Sequence, residues 1–410
     1  MNTPPAKRLF NVGLRGFTLL VKFALLFSLA RFLEPTGVGL YGLLLASVTY
    51  AVGVAGFGFC KFANREVAGA EPDARTTLLR DQLVFHALAY LIAGPLAAGL
   101  FVFDILPWTL APWFALILLL EHAGTEADRV LVAVNEQLVA TLSLFLRNAA
   151  WVLALIPLMW ARPDARTLEA VLGAWAIGGL MSVVVAGSAL ARVGHWDFAR
   201  PVDWAWLRRG ARIAAPLLVA SLALKGLTTF DRFWVKDVAG LEVLGAYVLF
   251  AGIAVVLKVF LDSGVFVFSY PALIRAVKVG DERAFRRGMR ELFGYTAGVM
   301  AVVVAVSLML IRPVLAWIDR PLYDGHLDLY YWSLAAVVLY AFGMVAHYGI
   351  YAHHRDRTIV TSQLAGLAVF FAAGALTVPA YGAVGVPVAM CAAYTAILVH
   401  KSVVLARVWP

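Results

Sequence analysis

Twelve apolar stretches of about 20 residues follow one another along this chain, and a run of that length crosses a bilayer as an α-helix. Hydrocarbon offers no partner to a backbone N–H or C=O, so each crossing must satisfy its own hydrogen bonds, as a helix does. The stretches fall at about 10 to 33, 38 to 59, 83 to 103, 112 to 134, 138 to 160, 168 to 191, 211 to 231, 243 to 267, 291 to 311, 329 to 351, 359 to 378 and 383 to 405. With 62% hydrophobic and 14% charged residues and a mean hydropathy of +0.83, too little polar surface remains to coat a soluble globule. The polar connections reach only about 20 residues, which leaves no room for a soluble domain between spans. An all-α, polytopic membrane protein is expected.

Lys7 and Arg8 ahead of an apolar run resemble the start of a signal peptide. Arg15 and Lys22 interrupt that run, however, and Ala30-Arg31-Phe32 offers no small-residue cleavage site, so the segment is read as the first span. Cys60 and Cys391 form neither a disulfide framework nor a metal-binding spacing. Lys61, Arg65, Arg75 and Arg80 follow the second span, Arg192, Arg200, Arg208, Arg209 and Arg212 the sixth, and Arg275, Lys278, Arg283, Arg286, Arg287 and Arg290 the eighth. Roughly 22 of the 34 Lys and Arg lie on that side of the membrane against about 7 on the other, which places both termini in the cytoplasm. The net charge of +9 is thereby accounted for as topology signal and attraction to anionic membrane lipid, and no nucleic acid is implied.

The chain also repeats itself. Arg31-Phe32-Leu33 and then Gly39-Leu40-Tyr41-Gly42-Leu43 in the first half correspond to Arg232-Phe233-Trp234 and then Gly245-Ala246-Tyr247-Val248-Leu249 in the second. An even number of spans separates the copies, so the halves share one orientation and would be related by an axis along the membrane normal. Two pseudo-symmetric six-helix bundles are expected, residues 1–193 and 211–410, joined by a cytoplasmic linker at 194–210.

Five cations sit within the spans: Arg15, Lys22, Arg147, Lys225 and Lys258. A charge at mid-membrane costs about 2.5–3.5 kcal/mol, so each must face a cavity, a partner or a ligand. Asn11, Arg15, Thr18 and Lys22 share one helical face, as do Ser221, Lys225, Thr228 and Arg232 at the same spacing in the seventh span, so the two stripes are expected to line one central cavity. Snorkelling to the interface is the alternative for Arg15 and Arg232. Lys258 stands one turn before Asp262, where an internal salt bridge is the alternative to ligand binding. Arg147 has no acid near it in sequence, and a guanidinium grips phosphate bidentately. On the fourth span Glu121, Thr125 and Asp128 share one face and His122, Glu126 and Arg129 the adjacent one. Glu121, His122, Glu126 and Asp128 read either as counter-charges to the cavity cations and a cytoplasmic gate or, with Asp262, as groups that couple transport to a proton or another cation, Glu121 or His122 first among them. His86 and His347 stand alone on apolar spans and read as packing residues.

The run Leu33-Glu34-Pro35-Thr36-Gly37-Val38-Gly39-Leu40-Tyr41-Gly42 resembles the first-loop signature of polysaccharide-type, Wzx-like flippases of the multidrug/oligosaccharidyl-lipid/polysaccharide exporter superfamily. Ala215-Pro216-Leu217-Leu218 through Asp231-Arg232-Phe233 to Gly245-Ala246-Tyr247, and Tyr270-Pro271-Ala272-Leu273, fit the same resemblance. Similar proteins move polyprenyl-pyrophosphate-linked oligosaccharide units from the cytoplasmic to the periplasmic leaflet of the bacterial inner membrane. The resemblance therefore implies a flippase working by alternating access in O-antigen, lipopolysaccharide or exopolysaccharide assembly, with a polysaccharide polymerase as a further partner. The cationic residues would receive the pyrophosphate and sugars while the polyprenyl tail stays in lipid.

No Gly-x-x-x-x-Gly-Lys-Ser/Thr loop occurs, so no nucleotide cofactor is expected, and a proton or sodium gradient remains as an energy source. Three other readings stay open. A drug or organic-cation exporter of the same superfamily suits an excess of buried cations less well than an anion carrier does. An intramembrane polymerase, ligase or glycosyltransferase acting on polyprenyl glycans would need a larger external segment than 312–329 supplies. A structural scaffold leaves the mid-span charges unexplained.

Overall fold

The computed structural model describes residues 5–194, 196 and 199–408, and among them every regular element is helical. In chain order these are α1 (Pro5–Phe32), α2 (Pro35–Gly56), α3 (Cys60–Gly69), α4 (Pro72–Val102), α5 (Ala111–Ala133), α6 (Gln137–Ala161) and α7 (Leu168–Leu190). A continuous run from Trp204 to Val279 is broken at Gly240, whose φ of 80° no helical residue adopts, and so divides into α8 (204–239) and α9 (241–279). There follow α10 (Glu282–Ile318), α11 (Leu327–Ala352), α12 (Asp356–Tyr381) and α13 (Gly385–Val408), the last two separated by another positive-φ glycine, Gly382.

Nine helical stretches among the described residues are long and apolar enough to cross a membrane. Two of them, Trp204–Val279 and Asp356–Arg407, each contain one of the glycine breaks, and α5 is too polar to count because of Glu121, Glu126, Asp128 and Arg129. With those breaks and α5 included, the helices follow the twelve expected segments. Their ends do not: α4 and α10 begin about ten residues before their apolar runs, because helix geometry continues into the polar water-facing turns that hydropathy ignores. The basic connection after α2 holds an unexpected helix, α3, which turns Cys60, Phe62, Ala63 and Val67 inward.

The chain divides into two compact units. The first takes α1 up to Ser28 together with Leu43–Leu222, and the second takes Leu29–Gly42 together with the chain from Ala223 on. This division differs from a single cut in the linker at 194–210, of which residues 195, 197 and 198 lie outside the described residues. Local contacts explain it.

In the first unit the Arg80 guanidinium donates to the Arg200 carbonyl at 2.6 Å and the Pro201 carbonyl at 3.1 Å, and Asp81 accepts from the Asp203 N–H at 3.1 Å. Asp203 in turn caps α8 by accepting from the Trp206 N–H. Phe59, Phe62, Trp206 and Leu207 then bury one another, which fixes the start of α8 against α3.

In the second unit the corner between α1 and α2 is held by Glu34, which pairs with Arg320 at 3.0 Å, by the Tyr323 hydroxyl donating to the Ala30 carbonyl, and by Arg31 lying 4.7 Å from the Trp317 ring centroid. Arg320 holds the Glu34 carboxyl below its ordinary value, chiefly by hydrogen bonding. A lowered carboxylate value means that this clamp is complete at neutral pH and is lost only as pH falls through that value.

The repeated glycines meet in this second unit. A methyl group on Gly39 would collide with the Leu241 carbonyl oxygen, and one on Gly245 with the Pro35 carbonyl oxygen. Each glycine stands one helical turn beyond the residue struck by the other, so the two contacts are the same contact read in both directions. The repeat thus has a steric cause: α2 and α9 cross backbone to backbone at equivalent points.

Gly39→Ala and Gly245→Ala should each destabilise the purified protein by about 1–3 kcal/mol, since backbone must move to admit the methyl group. Gly187→Ala, in α7 with nothing within 4 Å, should instead be neutral or stabilising by up to about 1 kcal/mol. Thermal melts in detergent check both signs; an unchanged melting temperature in the first two would remove the steric account of the repeat.

Candidate functional site

The acidic face of α5 meets α6 where α6 departs from α-helical geometry. Residues Leu146–Ala150 form a π-helical turn, a distortion that inserts one residue and often marks functional positions. It aims Arg147 at α5. The guanidinium donates to Asp128 Oδ2 at 2.7 Å, to Thr125 Oγ1 at 2.6 Å and to the Glu121 carbonyl at 3.0 Å, with Glu121 Oε2 at 3.8 Å. Trp151 on the same helix returns a hydrogen bond to the Arg147 carbonyl at 2.8 Å. Glu121 Oε1 accepts from Trp175 Nε1 on α7 at 2.7 Å, so one ionic seam ties three helices of the first unit.

Arg147 is only 5% exposed, and its charge is met by protein acids rather than left for a ligand. No acid lies near it in the sequence; its partners come from another helix. Lys22 differs. It lies midway along the apolar part of α1, its side chain is exposed, and it is within electrostatic reach of both Glu121 and Arg147. Arg15, two turns earlier, is exposed as well, while Thr18 is buried and donates to the Leu14 carbonyl at 2.7 Å. Arg147 and Trp175 take up hydrogen-bonding positions of the acids nearest Lys22, while one of the two carboxylate charges is left for Lys22 to balance.

The adjacent face of α5 builds a second cluster. His122 Nδ1 is 2.8 Å from the Tyr90 hydroxyl, and Glu126 Oε1 pairs with Arg129 at 2.5 Å. Glu126 Oε2 is 3.5 Å from His86 Nε2 and 3.2 Å from Gln82 Nε2. His86 is therefore no isolated packing residue. Gln82, His86 and Tyr90 recur every fourth position on α4, a polar stripe legible in the sequence and complementary to His122 and Glu126 on α5.

In the second unit Lys258 is half-buried with Nζ 4.0 Å from the Tyr340 ring centroid, a cation–π contact, and it keeps an electrostatic interaction with Asp262. Asp262 opens a second π-helical turn, Asp262–Phe266. Lys225 is half-buried on α8, and its carbonyl accepts from Thr228 at 3.2 Å, where the helix leaves regular geometry. Arg232 donates to the Thr228 carbonyl. Two charged groups not singled out as site residues are buried here. Asp231 accepts from the Tyr247 hydroxyl at 2.7 Å, and Lys401 approaches His347 Nδ1 at 3.4 Å. Asp231 and Tyr247 both fall within the motifs that carry the family resemblance; Lys401, near the end of the last span, has no such marker.

A family model described as polysaccharide biosynthesis protein matches residues 7–277. Among solved structures the chain is similar to an inward-facing multidrug resistance MATE family transporter of the MOP superfamily, at 12% identity and a TM-score of 0.75, with 94% of each chain covered. It is also similar to the MATE multidrug transporter DinF-BH, solved as a ligand complex, at 13% identity and a TM-score of 0.59 over 96% of this chain and 95% of that one. A MATE structure in complex with MaD3S gives 14% identity and a TM-score of 0.60 over 96% and 94%. At such identities the likeness establishes the fold alone. No curated protein matches in sequence.

Arg147→Met should cost about 3–5 kcal/mol, because it leaves the Asp128 and Glu121 carboxylates buried without their counter-charge. Adding Asp128→Asn should return part of that loss. A double-mutant cycle on melting stability reads the coupling, and strictly additive effects would contradict the ionic seam.

Proposed function

Because the chain belongs to the polysaccharide biosynthesis protein family and has the fold of a multi-pass MOP-superfamily transporter, we propose that it flips a lipid-linked oligosaccharide across the bacterial inner membrane. The substrate class is a polyprenyl-pyrophosphate-linked repeat unit, moved from the cytoplasmic to the periplasmic leaflet by alternating access, with both termini of the protein in the cytoplasm. The observation that carries this reading is Lys22: a lysine midway along an apolar helix, at an exposed position and beside acids whose hydrogen-bonding oxygens Arg147 and Trp175 already engage. A cation at that depth needs water or an anion, and a pyrophosphate supplies strong acceptors. Arg15 extends the same stripe towards the cytoplasmic end of α1 and would meet the headgroup first.

Arg147 serves this site from behind. It offsets one of the two carboxylates, Asp128 and Glu121, and with Lys22 brings this wall to neutrality, which lessens its repulsion of the phosphates. In the second unit Lys258 and Lys225 remain candidates for the sugar-phosphate portion, with Tyr340 supplying an aromatic surface. Energy enters as a proton or sodium gradient or as substrate flux, and the product leaflet is where a polymerase would consume the unit. The reading as an organic-cation exporter draws only on the shared fold; the positive stripe on α1 disfavours it.

A charge-assisted hydrogen bond contributes about 1.5–3 kcal/mol, so Lys22→Ala should lower glycan export about 10- to 100-fold at normal protein level, and Lys22→Arg should retain most of it. Surface-glycan immunoblots of a complemented deletion strain measure this. Full export by Lys22→Ala would remove Lys22 from the substrate path. A drug-sensitive deletion strain with intact surface glycan would favour the exporter reading.

A further inference from the structure

The cluster on α4 and α5 has a donor geometry that hydrogen bonding alone does not use up. His86 Nδ1 lies 3.4 Å from the Ala55 carbonyl, which can only accept, so in the tautomer with its proton on Nδ1 this contact is a hydrogen bond and Nε2, 3.5 Å from Glu126 Oε2, is free to act as a ligand. His122 Nδ1 is likewise engaged, by Tyr90, and its buried Nε2 has no hydrogen-bond partner. Both imidazoles thus have a partner at Nδ1, as histidine ligands of metals do, and one nitrogen of each ring and a Glu126 oxygen lie within 4.8 Å of one another. All three side chains are at least nine-tenths buried, His86 at 6%, His122 at 3% and Glu126 at 7% exposure.

A backbone segment without a side chain lies beside them. Gly56 at the end of α2 has no side chain, and a methyl group there would come within 3.3 Å of Glu126 Oε1 and 3.6 Å of His122 Nε2. Gln82 supplies a fourth group. Its Nε2 lies 3.4 Å from His86 Nε2, while its Oε1 is buried without a partner, and rotation about the terminal bond would bring that oxygen into the same place.

We propose that His86, His122 and Glu126 form a binding site for a borderline divalent transition ion of the Zn2+ class. Two imidazoles and one carboxylate, with an amide oxygen or water in the fourth position, match the ligands and tetrahedral geometry that such an ion prefers. Hard cations such as Mg2+ or Ca2+ prefer oxygen ligands and are disfavoured by the imidazoles. Ligand distances of about 2.0–2.2 Å require the three donors to close by about an ångström, within reach of side-chain rotation. Arg129 is the cation that lies against the cluster; its side chain is 45% exposed on its hydrogen bond to Glu126 Oε1, leaving Oε2 for the ion. Bound metal would join α4 to α5 within the first unit and fix their arrangement. The site is separate from Lys22, and its test does not depend on transport.

The experiment uses the purified full chain in detergent, titrated with Co2+ alone and with Zn2+ alone. Co2+ should give the visible d–d absorption of a tetrahedral nitrogen–oxygen site, Zn2+ should displace it, and Zn2+ should raise the melting temperature. His122→Gln and Glu126→Gln should lose both signals. Tyr90→Phe, which removes only the group orienting His122, should keep the absorption with about 10-fold weaker affinity, a readout independent of whether the ligand variants fold. A His353→Ala/His354→Ala variant, altering histidines outside the cluster, should behave as the native chain. The proposal is overturned if the native protein shows neither absorption nor a Zn2+ shift, in which case the three groups share a proton instead. It is equally overturned if the absorption survives in His122→Gln and Glu126→Gln and disappears with His353 and His354.

Discussion

The cost of a bare charge in hydrocarbon organises the first unit, and the Arg147–Asp128 pair is where that cost is met. The guanidinium bridges α6 to α5 through Asp128, Thr125 and Glu121, and Glu121 passes the linkage to Trp175 on α7. Replacing such a pair with apolar side chains is often neutral or stabilising in proteins, so its presence is not explained by stability alone. Electrostatic balance explains it better. Arg147 and Lys22 together balance the two acids, so this stretch of the first unit carries its four charges at no net charge.

The second unit uses a different constraint, close approach of backbones. Gly39 and Gly245 place α2 and α9 in reciprocal contact, and the Glu34–Arg320 clamp closes the corner that leads into α2. Small residues allow helices to approach where apolar side chains alone gain little from leaving lipid. The internal repeat is therefore more than a trace of ancestry, since each copy supplies one half of an isologous contact.

Much of this was legible in the sequence because a bilayer imposes a simple length rule. The apolar centres of all twelve crossings could be placed from hydropathy, whereas the starts of α4 and α10 could not, since their first turns are polar. The amphipathic α3 was hidden in a segment that read as basic loop. At the site, one-helix spacing sufficed to group Glu121, Thr125 and Asp128. The partner Arg147 required knowing which helix packs there. His86 looked isolated because its neighbours Gln82 and Tyr90 are uncharged, although their spacing of four marked a polar stripe. The spacing of Lys258 and Asp262 suggested a salt bridge; the two keep an electrostatic interaction, but spacing carried no sign that Tyr340 would take the ammonium.

The central claim is that this fold carries an anionic lipid-linked saccharide and recognises its negative headgroup. The most direct measurement compares two substrates in proteoliposomes of the purified protein: a fluorescent saccharide on polyprenyl pyrophosphate and the same saccharide on the same polyprenol through an uncharged ether. The account predicts protein-dependent movement of the pyrophosphate-linked saccharide to the opposite leaflet and little movement of the neutral one. Equal transport of both, or transport of neither beyond protein-free vesicles, would contradict it.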